Sequence, residues 1–533
     1  MPNRPIWENG SFLSSKTDKI DRIFLRKNDL QNRSTSLLGF MWSSRHKLLI
    51  SAIFLFFLIY FVRKLDDYEL DDPKLDLKEA EWVDEESLIE LTKKAKEEID
   101  YLRASVFGTA EIAPVVESTK NFVEFKSCKK FKNFKNLKEL NSWTKNGKWW
   151  LFSAYFDSRK NSLYPEHDSV QILGSIFSQP PSSPLYCHLA SSDNSESVVE
   201  AVLRPIWQRG WDPRFSFYNS YLITCGIPKN LKNPSSVFLS YSKCPEVIPD
   251  SVKIQKNNLN QKFSDLPKIG VCLKGLDFLE EKNEELTEWI EFQLLMGADK
   301  IRIYVYSIPE KSEKVLEYYE KTGRVEVVKI GLPGYQPNTP FIRHNFIWRN
   351  RQQKRRQELI PYNDCFYRFS QTHDYVLIVD FDEFVVPLKE SDWPKMLKSI
   401  EHQKNSNLTS IAVRNVYKLG IFEQGDSEVK ILKINRRSSY IDPKSVSEKS
   451  FISTKTVATV FNHFALHRLH AAATRTLHLD PEVSLKLHYK DSCPDEPGLN
   501  CSKITSDPVL DSSLDRFAAQ LESRIKKTKA KMT

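Results

Sequence analysis

From Lys268 onward the chain alternates short apolar runs with amphipathic stretches. Lys268–Leu273 (KIGVCL) predicts a strand. Phe278–Met296 predicts a helix, with Leu286, Trp289, Ile290 and Leu294 on one side and Gly297 as its C-terminal stop. A strand over Ile301–Tyr306, a helix over Glu310–Lys321 and strands over Val325–Ile330, Tyr375–Val379 and Ile411–Tyr417 follow. Such alternation builds an α/β unit, a sheet with helices on its faces. Ligands of such sheets sit at the carboxyl ends of the strands. The expected bounds are 268–510, with 511–533 as a C-terminal tail.

Upstream the period changes. Residues 121–248 carry short aromatic and β-branched runs (Trp149-Trp150-Leu-Phe, Val170-Gln-Ile-Leu, Val237-Phe-Leu) broken by Pro and Ser clusters. They predict a mostly β accessory domain. A polar stretch, 249–267, reads as a linker. Leu48–Val62 is different again: fifteen uncharged residues between basic flanks, about 22 Å long as a helix. Its length also suits a signal-peptide core. Against that stand the 47 residues before it and the lack of a small-x-small site after it, so a membrane anchor is expected. Residues 1–47 hold nine Lys/Arg and four Asp/Glu, whereas 65–100 hold fifteen acids against five lysines. The positive side stays in the cytoplasm. That gives a cytoplasmic tail (1–47), an anchor (48–62), an acidic stem (63–120) and a large lumenal part.

Composition narrows the class further. At 533 residues the chain exceeds one compact core. With 40% apolar and 12% aromatic residues it is not disordered, and a net charge of +9 is too dilute to argue for nucleic acid. All eight cysteines lie beyond the expected anchor, where disulfides persist. Cys493 and Cys501 flank a Pro- and Gly-containing loop that lets the chain double back, so they are expected to pair. Asn407-Leu-Thr and Asn500-Cys-Ser are glycosylation sequons.

The chemistry concentrates in Asp374-Tyr-Val-Leu-Ile-Val-Asp380-Phe-Asp382-Glu383. Strand alternation puts Asp380 and Asp382 on one side at the strand's end. Two carboxylates after an apolar run are costly without a cation or donors. Mg²⁺ or Mn²⁺ takes such oxygens together with substrate phosphates. In Leu485-Lys-Leu-His488-Tyr-Lys490 the imidazole of His488 is a further ligand candidate, although a lone His is more often structural; His463 has a similar aromatic setting. Asn363-Asp364-Cys365 reads either as a nucleotide contact through Asp364 or as a turn with a bridged cysteine. The basic run Arg349–Arg356 reads either as a diphosphate contact or as a solvated face.

Asn363-Asp-Cys365, Val379-Asp-Phe-Asp-Glu-Phe384 and Leu487-His-Tyr489 resemble, in that order, glycosyltransferase family 92, as do Glu288-Trp-Ile-Glu-Phe, Ala154-Tyr-Phe-Asp-Ser-Arg159 and Leu203-Arg-Pro-Ile-Trp207. The resemblance covers roughly 145–505. It implies a GT-A-like, Rossmann-type mixed sheet, a type II Golgi membrane topology and inverting transfer of galactose from UDP-galactose to a glycan, with Mn²⁺ as the usual cofactor. By the same resemblance Asp380 and Asp382 match the metal and diphosphate motif, and His488 the late His. Many related enzymes carry an Asn/Asp-x-Ser after the second strand, where this chain has Tyr304-Val-Tyr-Ser307.

Inversion needs one carboxylate base near the acceptor hydroxyl. Glu423, Asp426 and Glu428, after the Ile411–Tyr417 strand, are candidates that spacing does not separate. The competing reading is a catalytically silent, anchored glycan-binding module of the same fold. A paired-carboxylate hydrolase is a third.

Overall fold

The computed structural model describes residues 124–125, 143–193, 195–256, 265–403, 407–494 and 499–532. The expected tail, anchor and stem lie outside these. Among the described residues no helix is long and apolar enough to cross a membrane.

Ten described strands, from Glu124 to Gln255, form the N-terminal sheet. Its centre is antiparallel: Trp149–Asp157 pairs with Ser169–Phe177, and that with Tyr218–Gly226. Trp149, Leu151 and Ala154 of the first of these enter one core and Phe152 and Tyr155 another, because a register shift between Leu151 and Ser153 interrupts the alternation. The Cys187–Cys225 disulfide joins two strands that are far apart in the sheet order, so the sheet folds over on itself. Val252–Gln255, inside the stretch read as a linker, is a strand of this sheet, bridging Trp149–Asp157 and Pro234–Ser240.

The C-terminal half is a mixed sheet. Its strands are β1 (Ile269–Asp277), β2 (Lys300–Ser307), β3 (Val325–Lys329), β4 (Tyr375–Ile378), β5 (Glu383–Pro387), β6 (Ser410–Leu419), β7 (Lys449–Ser453) and β8 (Ser484–Lys490). Across the sheet they run β3-β2-β1-β4-β7-β6-β8-β5. The first four are parallel, β7 is antiparallel to both neighbours, β6 and β8 are parallel, and β5 is antiparallel to β8. Four helices matter most: α1 (Asn283–Leu295), α2 (Glu310–Lys321), α3 (Leu359–Phe369) and α4 (Asp515–Met532). Gly297 follows α1 at φ 101°, the left-handed value that glycine tolerates.

Two expected boundaries move. α4 occupies most of the expected tail and buries Phe517, Leu521 and Ile525 in the same core as Trp289 and Ile290 of α1. Its apolar residues recur every four positions, a period that the dense lysines after Arg524 obscure in the sequence. The N-terminal sheet and the C-terminal half also share a core. Phe152, Tyr155, Leu173 and Leu222 pack with Tyr304, Phe366, Val376 and Ile378.

Candidate active site

β4 stops at Ile378, and the chain crosses from mid-sheet to the far edge, where β5 begins at Glu383. Asp380 and Asp382 lie in that crossing, not on a pleated strand. They therefore reach different partners.

Asp380 is fully engaged. Lys274 of β1 stands 3.0 Å from Oδ1 and Lys449 of β7 3.0 Å from Oδ2. The Tyr362 hydroxyl of α3 donates to Oδ1 at 3.1 Å. Burial opposes ionisation, but the two ammonium groups outweigh it and hold the carboxyl well below its usual range. Glu383 is equally enclosed. It accepts from Lys486 at 2.5 Å and lies 3.2 Å from Lys449, and it receives the Asp380 backbone N–H at 2.8 Å. Burial works against its charge, yet Lys449 and Lys486 bring it down to about 2. Lys449 and Lys486 have no exposed side-chain surface.

Asp382 is more open, with 32% of its side chain exposed. Lys490 stands 2.5 Å from Oδ2 and His488 Nε2 3.5 Å from the same atom. Both partners come from β8, because β5 and β8 pair with Glu383 opposite His488. The His488 ring stacks on Tyr417, and its Nδ1 is buried without a hydrogen-bond partner. Burial again disfavours the charge on Asp382, and His488 and Lys490 overcome it, so its pKa falls. Four lysines thus face four carboxylates, Glu358 being a second partner of Lys274 at 3.3 Å. Lys274 and Lys490, with 26% and 35% of their side chains exposed, are the two that meet solvent.

The donor set was tested for a divalent ion. Asp382 and His488 fit: an oxygen and a nitrogen donor share one opening, and the imidazole is not tied down through Nδ1. Asp380 offers no free oxygen, because both are held by lysines. Among the described residues no group of three or more His, Cys, Asp or Glu stands ready for a metal. The remaining ligands would have to be substrate phosphate and water, as is common for Mg²⁺-type sites.

Asp364 is not brought to this cluster. It lies on α3, fully buried, accepting from the hydroxyls of Tyr155 (2.8 Å) and Tyr304 (2.5 Å) and pairing with Arg302 at 3.2 Å. The segment expected as a turn is helical, and Cys365 is bridged to Cys272 of β1. That face of α3 is turned onto the N-terminal sheet. The basic run divides: Arg356 is buried against Asn219 and Asp212 of the N-terminal sheet region, and Arg349 and Arg351 are exposed. His463 is half-buried; desolvation of its ring and the nearby lysines lower its pKa to about 3.

Glu423, Asp426 and Glu428 all lie exposed on the loop after β6. Glu423 pairs with Lys433 at 3.0 Å. Because β6 runs parallel to β8, that loop leaves the sheet at the end carrying His488 and Lys490. Asn407 is partly buried, and Asn500 caps the helix Cys501–Thr505 by accepting from the Lys503 N–H at 3.1 Å. Cys493 and Cys501 are joined, as their spacing predicts.

The lysines were missed in sequence. Lys486, His488 and Lys490 alternate along β8, so their common side was readable. Lys274 and Lys449 come from other strands and left no such signal.

Residues 267–525 match the profile of glycosyltransferase family 92. That stretch of the chain is a glycosyltransferase family 92 region. The family 92 region covers the whole mixed sheet, the lysine-rich site and most of α4. The chain is also similar to the "Beta-1,4-galactosyltransferase galt-1" of Caenorhabditis elegans, at 25% identity over 246 residues. That match takes in 45% of this chain and 52% of the relative, about half its length. A mutant ferredoxin-NADP+ reductase structure from Plasmodium falciparum overlaps 51% of the chain and 97% of its own at 12% identity and a TM-score of 0.11, which carries no argument.

Proposed function

We propose that this protein transfers galactose from UDP-galactose, with inversion, onto a glycan acceptor, as a single-pass type II protein with its catalytic part in the Golgi lumen. The observation that carries the reading is the charged cluster at the end of β4. β1 and β4 are neighbours, but the chain winds β1-β2-β3 to one side and places β4 on the other. Ligands of open α/β sheets bind where the winding reverses. Lys274 of β1 and Asp380 beyond β4 meet at that point, 3.0 Å apart.

Four lysines set close together, two of them open to solvent, suit a diphosphate. Lys274 and Lys490 take the phosphates, being the two that reach solvent. Lys449 and Lys486 stay buried and fix Asp380 and Glu383. A Mn²⁺ or Mg²⁺ held by Asp382 and His488 would supply Lewis-acid neutralisation of the departing diphosphate. Ammonium groups fixed before reaction favour charge that develops during it. The acceptor hydroxyl loses its proton to a carboxylate on the opposite face of the sugar, and the loop bearing Glu423, Asp426 and Glu428 leaves the sheet at the same end as His488 and Lys490.

The test is direct. Full-length protein is incubated with Mn²⁺, a glycan panel and each common sugar nucleotide, with and without EDTA. Release of UDP from UDP-galactose, abolished by EDTA, is the expected result. Turnover of no sugar nucleotide on any glycan would overturn the reading in favour of a silent glycan-binding module. Turnover that EDTA leaves unchanged would remove the metal from it.

A further inference from the structure

In a regular strand, positions three apart face opposite sides of the sheet. Lys274 and Asp277 of β1 are three apart, yet both line one cleft. The cause is a bulge: the pairing of β1 with β2 shifts register between Leu273 and Leu276 and again between Leu276 and Asp277. Bulges re-aim side chains and are common beside active sites. Gly275 lies within it. A Cβ there would stand 2.3 Å from the Tyr306 ring, so glycine is what lets that ring line the cleft.

At the far end of the cleft is an unmet carboxylate oxygen. Asp277 has 7% of its side chain exposed. Its Oδ2 accepts from His344 Nδ1 at 3.0 Å, and its Oδ1 is buried with no partner. A buried acceptor without a donor is costly, and more so when charged. The cleft holds about 60 Å³, room for roughly four to six waters. At its other end Lys274 reaches Asp380.

We infer that this cleft takes the base of the donor nucleotide, that the base is a pyrimidine presenting a ring N–H, and that Asp277 Oδ1 accepts that N–H. The inference rests on the glycosyltransferase reading and deepens it by assigning the residue that selects the base. Uracil carries N–H at the ring position where cytosine carries a lone pair, so cytosine would face the carboxylate lone pair to lone pair. Guanine offers two adjacent donors, but one oxygen of Asp277 already belongs to His344. The ribose spans from Asp277 toward Lys274, where the phosphates lie.

Calorimetric titration of the full-length protein with UDP, CDP, GDP and inorganic pyrophosphate, at constant Mn²⁺, tests this. The wild type is expected to bind UDP about tenfold or more tighter than CDP or GDP, the scale of one hydrogen bond to a charged group. Asp277→Ala should lose that factor for UDP and leave pyrophosphate unchanged. Asp277→Asn keeps the shape and can turn its amide N–H₂ toward a cytosine, so it should narrow or reverse the preference of UDP over CDP. If both variants keep the wild-type base preference while UDP still binds, the base assignment is overturned and the transferase reading stands. Equal weakening of UDP and pyrophosphate in Asp277→Ala, with an unchanged preference in Asp277→Asn, overturns it as well. A wild type that binds no nucleotide sinks both.

Discussion

Asp380 and Asp382 are two residues apart and share a motif, yet their surroundings have opposite characters. Asp380 spends both oxygens on Lys274, Lys449 and Tyr362. Asp382 leaves part of its side chain open, beside an imidazole with an unused nitrogen. The first is a keystone of the fold. The second opens to solvent. One sequence motif therefore divides into an enclosed and an open half, and the division follows from the chain leaving β4 just before it.

Substitution can break that distinction. Asp380→Asn leaves the buried Lys449 short of a counter-charge and should cost about 3–5 kcal/mol of stability, the usual penalty for unpairing a buried ion. A thermal melt close to wild type would contradict the keystone role. Asp382→Asn should melt like the wild type but lose at least about a hundredfold in turnover, roughly 2.7 kcal/mol of transition-state stabilisation. Full activity with saturating donor would refute its chemical role. His488→Ala sharpens the comparison from the other side. The Mn²⁺ concentration for half-maximal activity should rise about tenfold or more, with little change in melting temperature. A fall in melting temperature without a shift in metal response would make His488 structural.

The smallest effect concerns pH. The carboxyl of Glu383 sits at about 2 in the folded protein, below its ordinary 4.5. A depressed carboxyl stabilises the fold above its unfolded pKa and loses that contribution as pH falls toward the folded one. Melting temperature should thus decline between about pH 4.5 and 2, and Glu383→Gln should flatten that part of the profile. An equally steep decline in the variant would show that other carboxylates cause it.

Periodicity made the α/β half legible. The helix over Glu310–Lys321 falls where its pattern puts it, and the strands of β1 to β4 lie within a few residues of expectation. Packing between distant segments was not legible. The Lys449 and Lys274 partners of Asp380 depend on which strands neighbour β4, and β7 reaches it only through a crossover of the sheet. Asp364 looked like a binding residue because it is a carboxylate beside a cysteine in a polar triplet. Its true partners, Tyr155 and Arg302, are more than sixty residues away on two other strands. The linker and tail readings failed for a related reason: short polar-flanked strands and lysine-rich helices hide an apolar face that only a docked neighbour reveals.

The Cys272–Cys365 bridge has a bearing on how the molecule comes into being. It ties β1, two residues before Lys274, to α3, three residues after Tyr362, and those two side chains share one oxygen of Asp380. Closing a loop across a separation of 93 residues removes about 4–5 kcal/mol of chain entropy from the unfolded ensemble in the loop-closure picture. A chain whose thiols have not yet been oxidised must therefore hold strand and helix together by packing alone. Oxidation of this pair therefore adds to the stability of the strand–helix junction that carries Lys274 and Tyr362.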